Sequence, residues 1–159
     1  FSAQGAMGTI LNNLTTALNP DKYCSILLDI KALLSYFAEV TDSKEHRLLL
    51  TTVKTNMCRR FHSDINDLRM LCTYSGPGTL WLTDDNINTK ALETSGNNES
   101  IVLVKERIQQ AKTGAVVLLK GALYPSKNAK AVVHRSPNIE EYDQERLLLR
   151  IDTNESLNI

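Results

Sequence analysis

The sequence predicts a mainly β protein of the α+β class, with two N-terminal helices packed against a β-sandwich or small barrel. An apolar stripe at helical spacing within residues 21–40 gives way, after residue 43, to short β-rich segments separated by turn residues. The chain has 159 residues, of which 42% are hydrophobic and 23% charged, enough for one domain with its own core. We therefore expect a single domain over 9–159, with helices at about 9–40 and a β-barrel at about 46–152.

Two helices are predicted before the β region. Residues 10–18 carry apolar side chains at helical spacing, and so do residues 21–40. Asn19 can cap the second helix, and Pro20 suits its first position. The stripe of the second helix consists of Ile26, Ile30, Leu33, Leu34 and Phe37. Residues 1–8 contain Gly5-Ala6-Met7-Gly8, which is typical of a vector-derived or flexible start, and are left out of this prediction.

Short strands are predicted along the rest of the chain. They lie at about 48–53, 60–64, 68–74, 80–82, 115–120, 131–134 and 146–152. The strand at 115–120 is apolar enough to be buried, whereas residues 101–112 fit either a strand or a helix. Residues 83–100 are polar and predict a long exposed loop, a feature often used as a lid or binding loop.

Composition excludes several classes of function. The formal net charge is zero and the basic residues are scattered, so we expect neither a nucleic-acid partner nor binding to an anionic membrane. No apolar run approaches the roughly 18 residues needed to span a bilayer. Cys24, Cys58 and Cys72 form no close pair, which favours a reducing, cytoplasmic location over a disulfide framework. Oligomeric state is left open.

The tripeptide His62-Ser63-Asp64 is the strongest candidate for chemistry. On a strand over 60–64, the side chains of His62 and Asp64 would point to the same face. A later strand can bring His134 beside them. Two imidazoles and one carboxylate, with further positions open, form the ligand set of non-haem Fe(II) oxygenases. We therefore predict a metal site of His62, Asp64 and His134, to which Cys58 or Cys72 could add a thiolate if the ion were zinc.

The order of these motifs resembles that of the double-stranded β-helix oxygenases, which use Fe(II) and 2-oxoglutarate. The matching features are the His-x-Asp pair, Gly114 before an apolar strand, His134, and Arg146 twelve residues further on. The resemblance implies a jelly-roll barrel with its helices packed on one sheet. It also implies that Fe(II) is held by the two histidines and the aspartate.

The same resemblance implies where 2-oxoglutarate would bind. A basic residue on the last strand pairs with the distal carboxylate of the cosubstrate, a role that suits a planar guanidinium. Arg146 is implied for this role, and Arg150, on the same face of a regular strand, is its rival. Arg69 and Tyr74 are candidates for the remaining cosubstrate contacts.

A closer resemblance covers roughly residues 45–152 and is to an uncharacterised bacterial domain family. It implies no function, because that family has none assigned. The motifs that carry it are Phe61-His62-x-Asp64, Arg69-x-Leu71-Cys72-Thr73-Tyr74-x-Gly76-Pro77-Gly78-Thr79, Lys120-Gly121, His134-Arg135-Ser136-Pro137 and Arg146-Leu147-Leu148-Leu149.

Three classes of function remain open. The first is a mononuclear iron oxygenase that uses 2-oxoglutarate to oxidise an unknown small-molecule substrate. The second is a cupin-like metalloprotein that uses zinc, manganese or iron for hydrolysis, isomerisation or metal handling. The third is a metal-free binding domain. Nucleotide binding is disfavoured, because Gly76-Pro77-Gly78 lacks the spacing of a phosphate-binding loop.

Overall fold

A computed structural model describes residues 1–126 and 128–153 of the chain. These residues form an α+β structure with two antiparallel sheets and four α-helices. In chain order the elements are β1 (Ser2–Gly5), α1 (Met7–Ala17), α2 (Pro20–Thr41), β2 (His46–Val53), β3 (Leu68–Ser75), β4 (Leu80–Trp81), α3 (Thr89–Glu93), α4 (Asn98–Ile101), β5 (Gln109–Gln110), β6 (Val116–Lys120), β7 (His134–Arg135) and β8 (Arg146–Thr153). Within the described ranges, no helix combines the length with the apolar character that crossing a membrane requires.

The two predicted N-terminal helices are confirmed as α1 and α2. Pro20 opens α2, and the side-chain oxygen of Asn19 accepts a hydrogen bond of 2.9 Å from the backbone N–H of Asp21. This cap satisfies one of the donors that a helix leaves unpaired at its start. Residues 1–8, which the sequence prediction left out, belong to the fold, because β1 pairs with β2 and α1 begins at Met7.

The larger sheet has the strand order β1-β2-β8-β3-β6, and α1 and α2 cover one of its faces. Side chains alternate along β8. Leu147, Leu149 and Ile151 pack into the helix-covered core, so Arg146 and Arg150 lie on the opposite face. The fully buried members of this core are Ile10, Leu14, Ile30, Leu34, Phe37, Leu48, Met70, Leu149 and Ile151.

The smaller sheet has the order β5-β4-β7. His62 extends it by one position, because its backbone pairs with that of His134 in an isolated antiparallel bridge. Side chains connect this sheet to the helix-free face of the larger one. Arg146 of β8 donates to the hydroxyl of Thr79, just before β4, and Asp64 forms an ion pair with Arg69 of β3.

Three strand predictions are wrong in detail. Residues 60–64 form no strand, because within this segment only His62 forms a β-bridge, while the carbonyl of Asp64 accepts from the N–H of Ala122. The strand predicted at 131–134 is confined to His134–Arg135. The apolar segment at 115–120 is an edge strand and not a buried one, with Val116 40% exposed.

The segment predicted as an exposed loop at 83–100 is largely exposed, but it is not a loop without regular structure. This segment contains α3 and most of α4, and it packs on a second small core. Asn86 is fully buried, and its polar atoms are satisfied there: the side-chain N–H donates to the backbone carbonyl of Val104, and the side-chain oxygen accepts from the N–H of the same residue. Polar side chains can therefore hold a segment together through backbone contacts, which a hydrophobic pattern does not reveal.

The buried stripe of α2 should dominate the stability of the larger core. We expect Phe37→Ala to lower the free energy of unfolding by about 3–5 kcal/mol, because Phe37 is fully buried and contacts the ring of His46 edge-on. Tyr36→Ala is the matched control, since Tyr36 is 51% exposed on the same helix. Chemical denaturation measures both, and similar losses from the two variants would contradict this account of the core.

Candidate metal centre

The backbone positions the two histidines side by side. The N–H of His62 donates to the carbonyl of His134 at 3.0 Å, and the N–H of His134 donates back at 2.9 Å. Directly opposed residues of an antiparallel pair carry their side chains on the same side of the sheet. The two imidazole centroids are accordingly 4.8 Å apart.

Asp64 completes a group of three potential ligands. Its Oδ1 lies 3.5 Å from Nε2 of His62, and its Oδ2 lies 3.5 Å from Nε2 of His134. The three donor atoms all lie within 4.8 Å of one another. Small side-chain rotations would place each donor atom about 2.0–2.2 Å from one common ion, the distance at which imidazole and carboxylate ligands bind zinc. In the described part of the chain, no other group of three or more His, Cys, Asp or Glu side chains has this arrangement.

Each imidazole is oriented by a carbonyl of its own chain segment. Nδ1 of His62 lies 2.9 Å from the carbonyl oxygen of Arg60, and Nδ1 of His134 lies 3.1 Å from that of Val132. A carbonyl oxygen only accepts, so each Nδ1 carries the proton and donates it. In the neutral rings, both Nε2 atoms are therefore unprotonated, and the lone pair of each faces the Asp64 carboxylate. Metal-binding histidines are commonly held by this arrangement.

The pKa values reflect the mutual influence of these groups. The hydrogen bond with Asp64 raises the pKa of His62 above its ordinary value. Burial lowers the pKa of His134 and outweighs the attraction of Asp64. Burial by itself would raise the pKa of Asp64. The hydrogen bond with His62 and the charges of Arg69 and His134 outweigh that effect, so the pKa of this carboxyl lies below its ordinary value.

Arg69 ties the carboxylate of Asp64 to the larger sheet. Its Nη1 lies 2.5 Å from Oδ2 of Asp64, and its Nε lies 2.5 Å from Oδ1 of Asp152 on β8. Nε of Arg150 approaches the other oxygen of Asp152 at 2.9 Å. Asp64 is therefore held in place by a chain of ion pairs, although its own segment has no strand to position it.

Arg146 is buried on the same face of the sheet, with only 1% of its surface exposed. Its Nη2 donates to the hydroxyls of Thr73 and Thr79 at 3.1 and 3.3 Å. Burial lowers the pKa of Arg146. No carboxylate lies within ion-pair distance of its guanidinium in the described residues, and its Nε has no hydrogen-bond partner there. Arg146 is thus a buried cation held by neutral groups alone.

Tyr74 and the cysteines lie apart from the three ligands. The hydroxyl of Tyr74 donates to Asp29 of α2 at 2.6 Å, and its ring packs against the helix-covered core. This position is on the opposite face of the sheet from Arg69, so Tyr74 is not brought together with the site as the resemblance implied. Cys72 is buried in the same core, and Cys58 is exposed outside the donor group.

A cavity of about 180 Å³ adjoins the site at Asp64. The sequence identified Asp64, Arg69 and Arg150 as candidate site residues but not the other residues of this wall. The remaining lining residues are Arg47, Ile65, Asn66, Asp152 and Thr153. The alternation of Arg150 and Asp152 on β8, two residues apart, was the available signal, because it places both on one face.

Comparison with known proteins identifies a family. The sequence profile of DUF1826, described as a protein of unknown function, matches residues 4–152. The chain belongs to this family. The expected resemblance to an uncharacterised domain family is thereby confirmed, and it extends towards the N-terminus through both helices. No curated protein and no solved structure matches the chain.

The hydrogen bonds of the two rings predict their tautomers. At alkaline pH in the metal-free protein, where both are neutral, we expect His62 and His134 to be protonated at Nδ1 and unprotonated at Nε2. Long-range ¹H–¹⁵N NMR spectra of the imidazoles distinguish the two forms. His46 is the internal control, because neither of its ring nitrogens has a hydrogen-bond partner among the described residues. Protonation at Nε2 of either ligand candidate would contradict the assignment.

Proposed function

We propose that His62, Asp64 and His134 bind a single divalent metal ion. The observation that carries this proposal is the pair of Nε2 lone pairs, freed by the Nδ1 hydrogen bonds, that face the Asp64 carboxylate. Lone pairs that face an anion are repelled unless a proton or a cation lies between them. One metal ion would bind all three donors.

The strand order supports a jelly-roll barrel around this ion. The chain from β2 to β8 has eight strands if the bridge at His62 is counted as the second, so that β2 is the first strand and β3 to β8 are the third to eighth. In this numbering, one sheet contains the first, eighth, third and sixth strands. The other contains the second, seventh, fourth and fifth. Two sheets interleaved in this way match the eight-stranded jelly roll of cupins. The proposed ligands then project from the second and seventh strands towards the helix-free face of the larger sheet.

Three protein ligands favour a catalytic or substrate-binding role over a purely structural one. A structural zinc site uses four protein ligands, whereas two histidines and one carboxylate leave positions open. Bound Fe(II) would use these positions for O₂ and a chelating cosubstrate. We therefore propose a non-haem Fe(II), 2-oxoglutarate-dependent oxygenase-like activity on a substrate that is not yet identified.

The buried Arg146 supports the choice of 2-oxoglutarate. An unpaired buried cation is costly, and a carboxylate would offset that cost through a bidentate, charge-assisted contact. Its hydroxyl partner Thr79 lies two residues before Trp81, which pairs with His134. Two strand residues span about 7 Å. A five-carbon dicarboxylate could therefore bind the ion at one end and Arg146 at the other, while Thr73 and Thr79 orient the guanidinium.

Arg150 supports this role less well than Arg146. Its Nε already approaches Asp152, and 29% of its side chain is exposed. Arg69 is better suited to a positioning role, because its guanidinium donates to the carboxylates of Asp64 and Asp152 and so fixes the position of Asp64. If the ion proves to be zinc or manganese and 2-oxoglutarate does not bind, the same three ligands favour a cupin-like metalloprotein, in which the ion would activate water.

Metal content is the first test. We expect one divalent ion per chain, with affinity that falls as pH is lowered, because protons compete for both Nε2 atoms. Asp64→Ala should weaken binding more than about 100-fold, since loss of an outer contact alone costs roughly 10–100-fold. Asp85→Ala is the control, because Asp85 is an exposed acid paired with Arg107. Elemental analysis and metal titration provide the measurements. Equal affinities in the two variants would exclude the proposed ligand set.

Cosubstrate binding is the second test. We expect anaerobic, Fe(II)-loaded protein to bind 2-oxoglutarate and, in air, to release succinate. Arg146→Met should weaken 2-oxoglutarate binding about tenfold or more, because it removes a charged hydrogen-bond donor. Arg107→Met, at an exposed position, is the control. Circular dichroism and metal content establish that Arg146→Met folds. Failure of the metal-loaded protein to bind 2-oxoglutarate at millimolar concentration would favour the cupin-like alternative.

A further inference from the structure

The cavity beside Asp64 has an unusual concentration of guanidinium groups. Arg47 of β2 and Arg69 of β3 are both in register with Asp152 of β8, one from each side. Arg150 lies two residues before Asp152 and therefore on the same face. Three adjacent strands thus bring three arginines to one wall of a cavity of about 180 Å³.

The acids in this wall do not balance the arginines. Asp152 is contacted by both Arg69 and Arg150, and Asp64 is contacted by Arg69. Arg47 donates to the neutral side-chain oxygen of Gln4 at 3.3 Å. Three guanidinium groups face two carboxylates in the lining, and a third carboxylate, that of Asp67, lies outside it and accepts a hydrogen bond from the hydroxyl of Thr153. The proposed metal ion would add further positive charge, because it binds one of the two carboxylates of the lining.

The wall also contains a polar group that lacks a partner. Asn66 is only 3% exposed, and neither polar atom of its side-chain amide has a hydrogen-bond partner among the described residues. A buried amide without hydrogen bonds is costly, and such groups are usually satisfied by protein, water or a ligand. Meanwhile 20% of the Arg69 side chain and 29% of that of Arg150 remain exposed, so a solute can reach them.

We propose that this cavity binds an oxyanionic group of the substrate, a carboxylate or a phosphate, and holds the substrate against the metal centre. This inference rests on the proposed function, because it assigns the substrate of the same site. Guanidinium groups bind planar and tetrahedral oxyanions through paired, charge-assisted hydrogen bonds. Asp64 belongs to both the cavity wall and the proposed ligand set, so a bound anion lies next to the ion. The substrate class is therefore a small acidic compound.

Two probes distinguish the two oxyanion chemistries. Sulfate represents the tetrahedral phosphate type and acetate the planar carboxylate type. Each is titrated into the full chain, metal-free and zinc-loaded, against chloride at constant ionic strength, with calorimetry as the readout. We expect at least one probe to bind, and the preferred probe identifies the type of group.

Arginine variants test whether the cavity is the binding site. Arg47→Gln and Arg150→Gln should each weaken binding of the preferred probe about tenfold or more. Arg59→Gln is the matched control, because Arg59 is exposed and pairs with Glu140 outside the cavity. Two variants from different strands are used so that misfolding of one, detected by circular dichroism, leaves the other informative.

Several outcomes would overturn the proposal. Binding of neither probe, or binding equally strong in the cavity variants and the control, would exclude an oxyanion site. Displacement of the probe by 2-oxoglutarate from the metal-loaded protein would assign the cavity to the cosubstrate instead. Metal content is measured in the same samples. Metal uptake without arginine-dependent anion binding overturns the cavity assignment alone. Arginine-dependent anion binding without metal uptake overturns the proposed function and leaves only an oxyanion site.

Discussion

The ion pairs from Asp64 through Arg69 to Asp152 are the constraint on which the site depends. The connection between β2 and β3 contains no regular strand, and His62 alone pairs with another strand. The backbone carbonyl of Asp64 accepts a hydrogen bond of 2.8 Å from the N–H of Ala122, and the ion pair with Arg69 fixes the orientation of its side chain. The side chains of Asp64 and Asp152 are only 13% and 7% exposed, so loss of the shared cation would leave the buried carboxylate of Asp64 without a guanidinium partner and that of Asp152 with Arg150 alone. The network thus holds the ligand carboxylate and the sheet in one arrangement.

Two arginines on one face of the sheet are in opposite electrostatic states. Arg69 is neutralised by two carboxylates at 2.5 Å, whereas Arg146 is more deeply buried and, among the described residues, donates to the hydroxyls of Thr73 and Thr79 but pairs with no carboxylate. Burial of a cation without an anion destabilises a fold by several kcal/mol in general, on the order of 3–5 when a partner is removed. A buried arginine such as Arg146, which lowers stability, is better explained by the binding of an anionic ligand than by a contribution to the fold. This difference separates a positioning residue from a candidate binding residue.

Parts of this arrangement could be predicted from the sequence and parts could not. The periodicity of α2, its cap at Asn19 and the strands β2, β3 and β8 follow from local patterns, and they were predicted correctly. The spacing of His62, Asp64 and His134 suggested that they would come together, although the strand expected to align the first two does not form. The role of Asn86 and the placement of Arg47 could not be predicted, because both depend on partners distant in sequence. Tyr74 was misplaced because the face on which it lies follows from the strand register, which the motif alone does not reveal.

The residue types of the segment from Thr73 to Thr79 are explained by its contacts with Arg146. The two threonines at its ends donate no charge but supply the hydroxyls that bind the guanidinium. Between them the pairing of β3 with β8 shifts register, and Gly76 adopts a φ of 80°, a conformation that favours glycine. A Cβ at Gly76 would also lie 2.1 Å from the carbonyl oxygen of Glu145 and 3.1 Å from the Cα of Arg146. Only a glycine there lets the turn close over Arg146, so this motif is better explained as the wall around a buried cation than as a simple reversal of the chain.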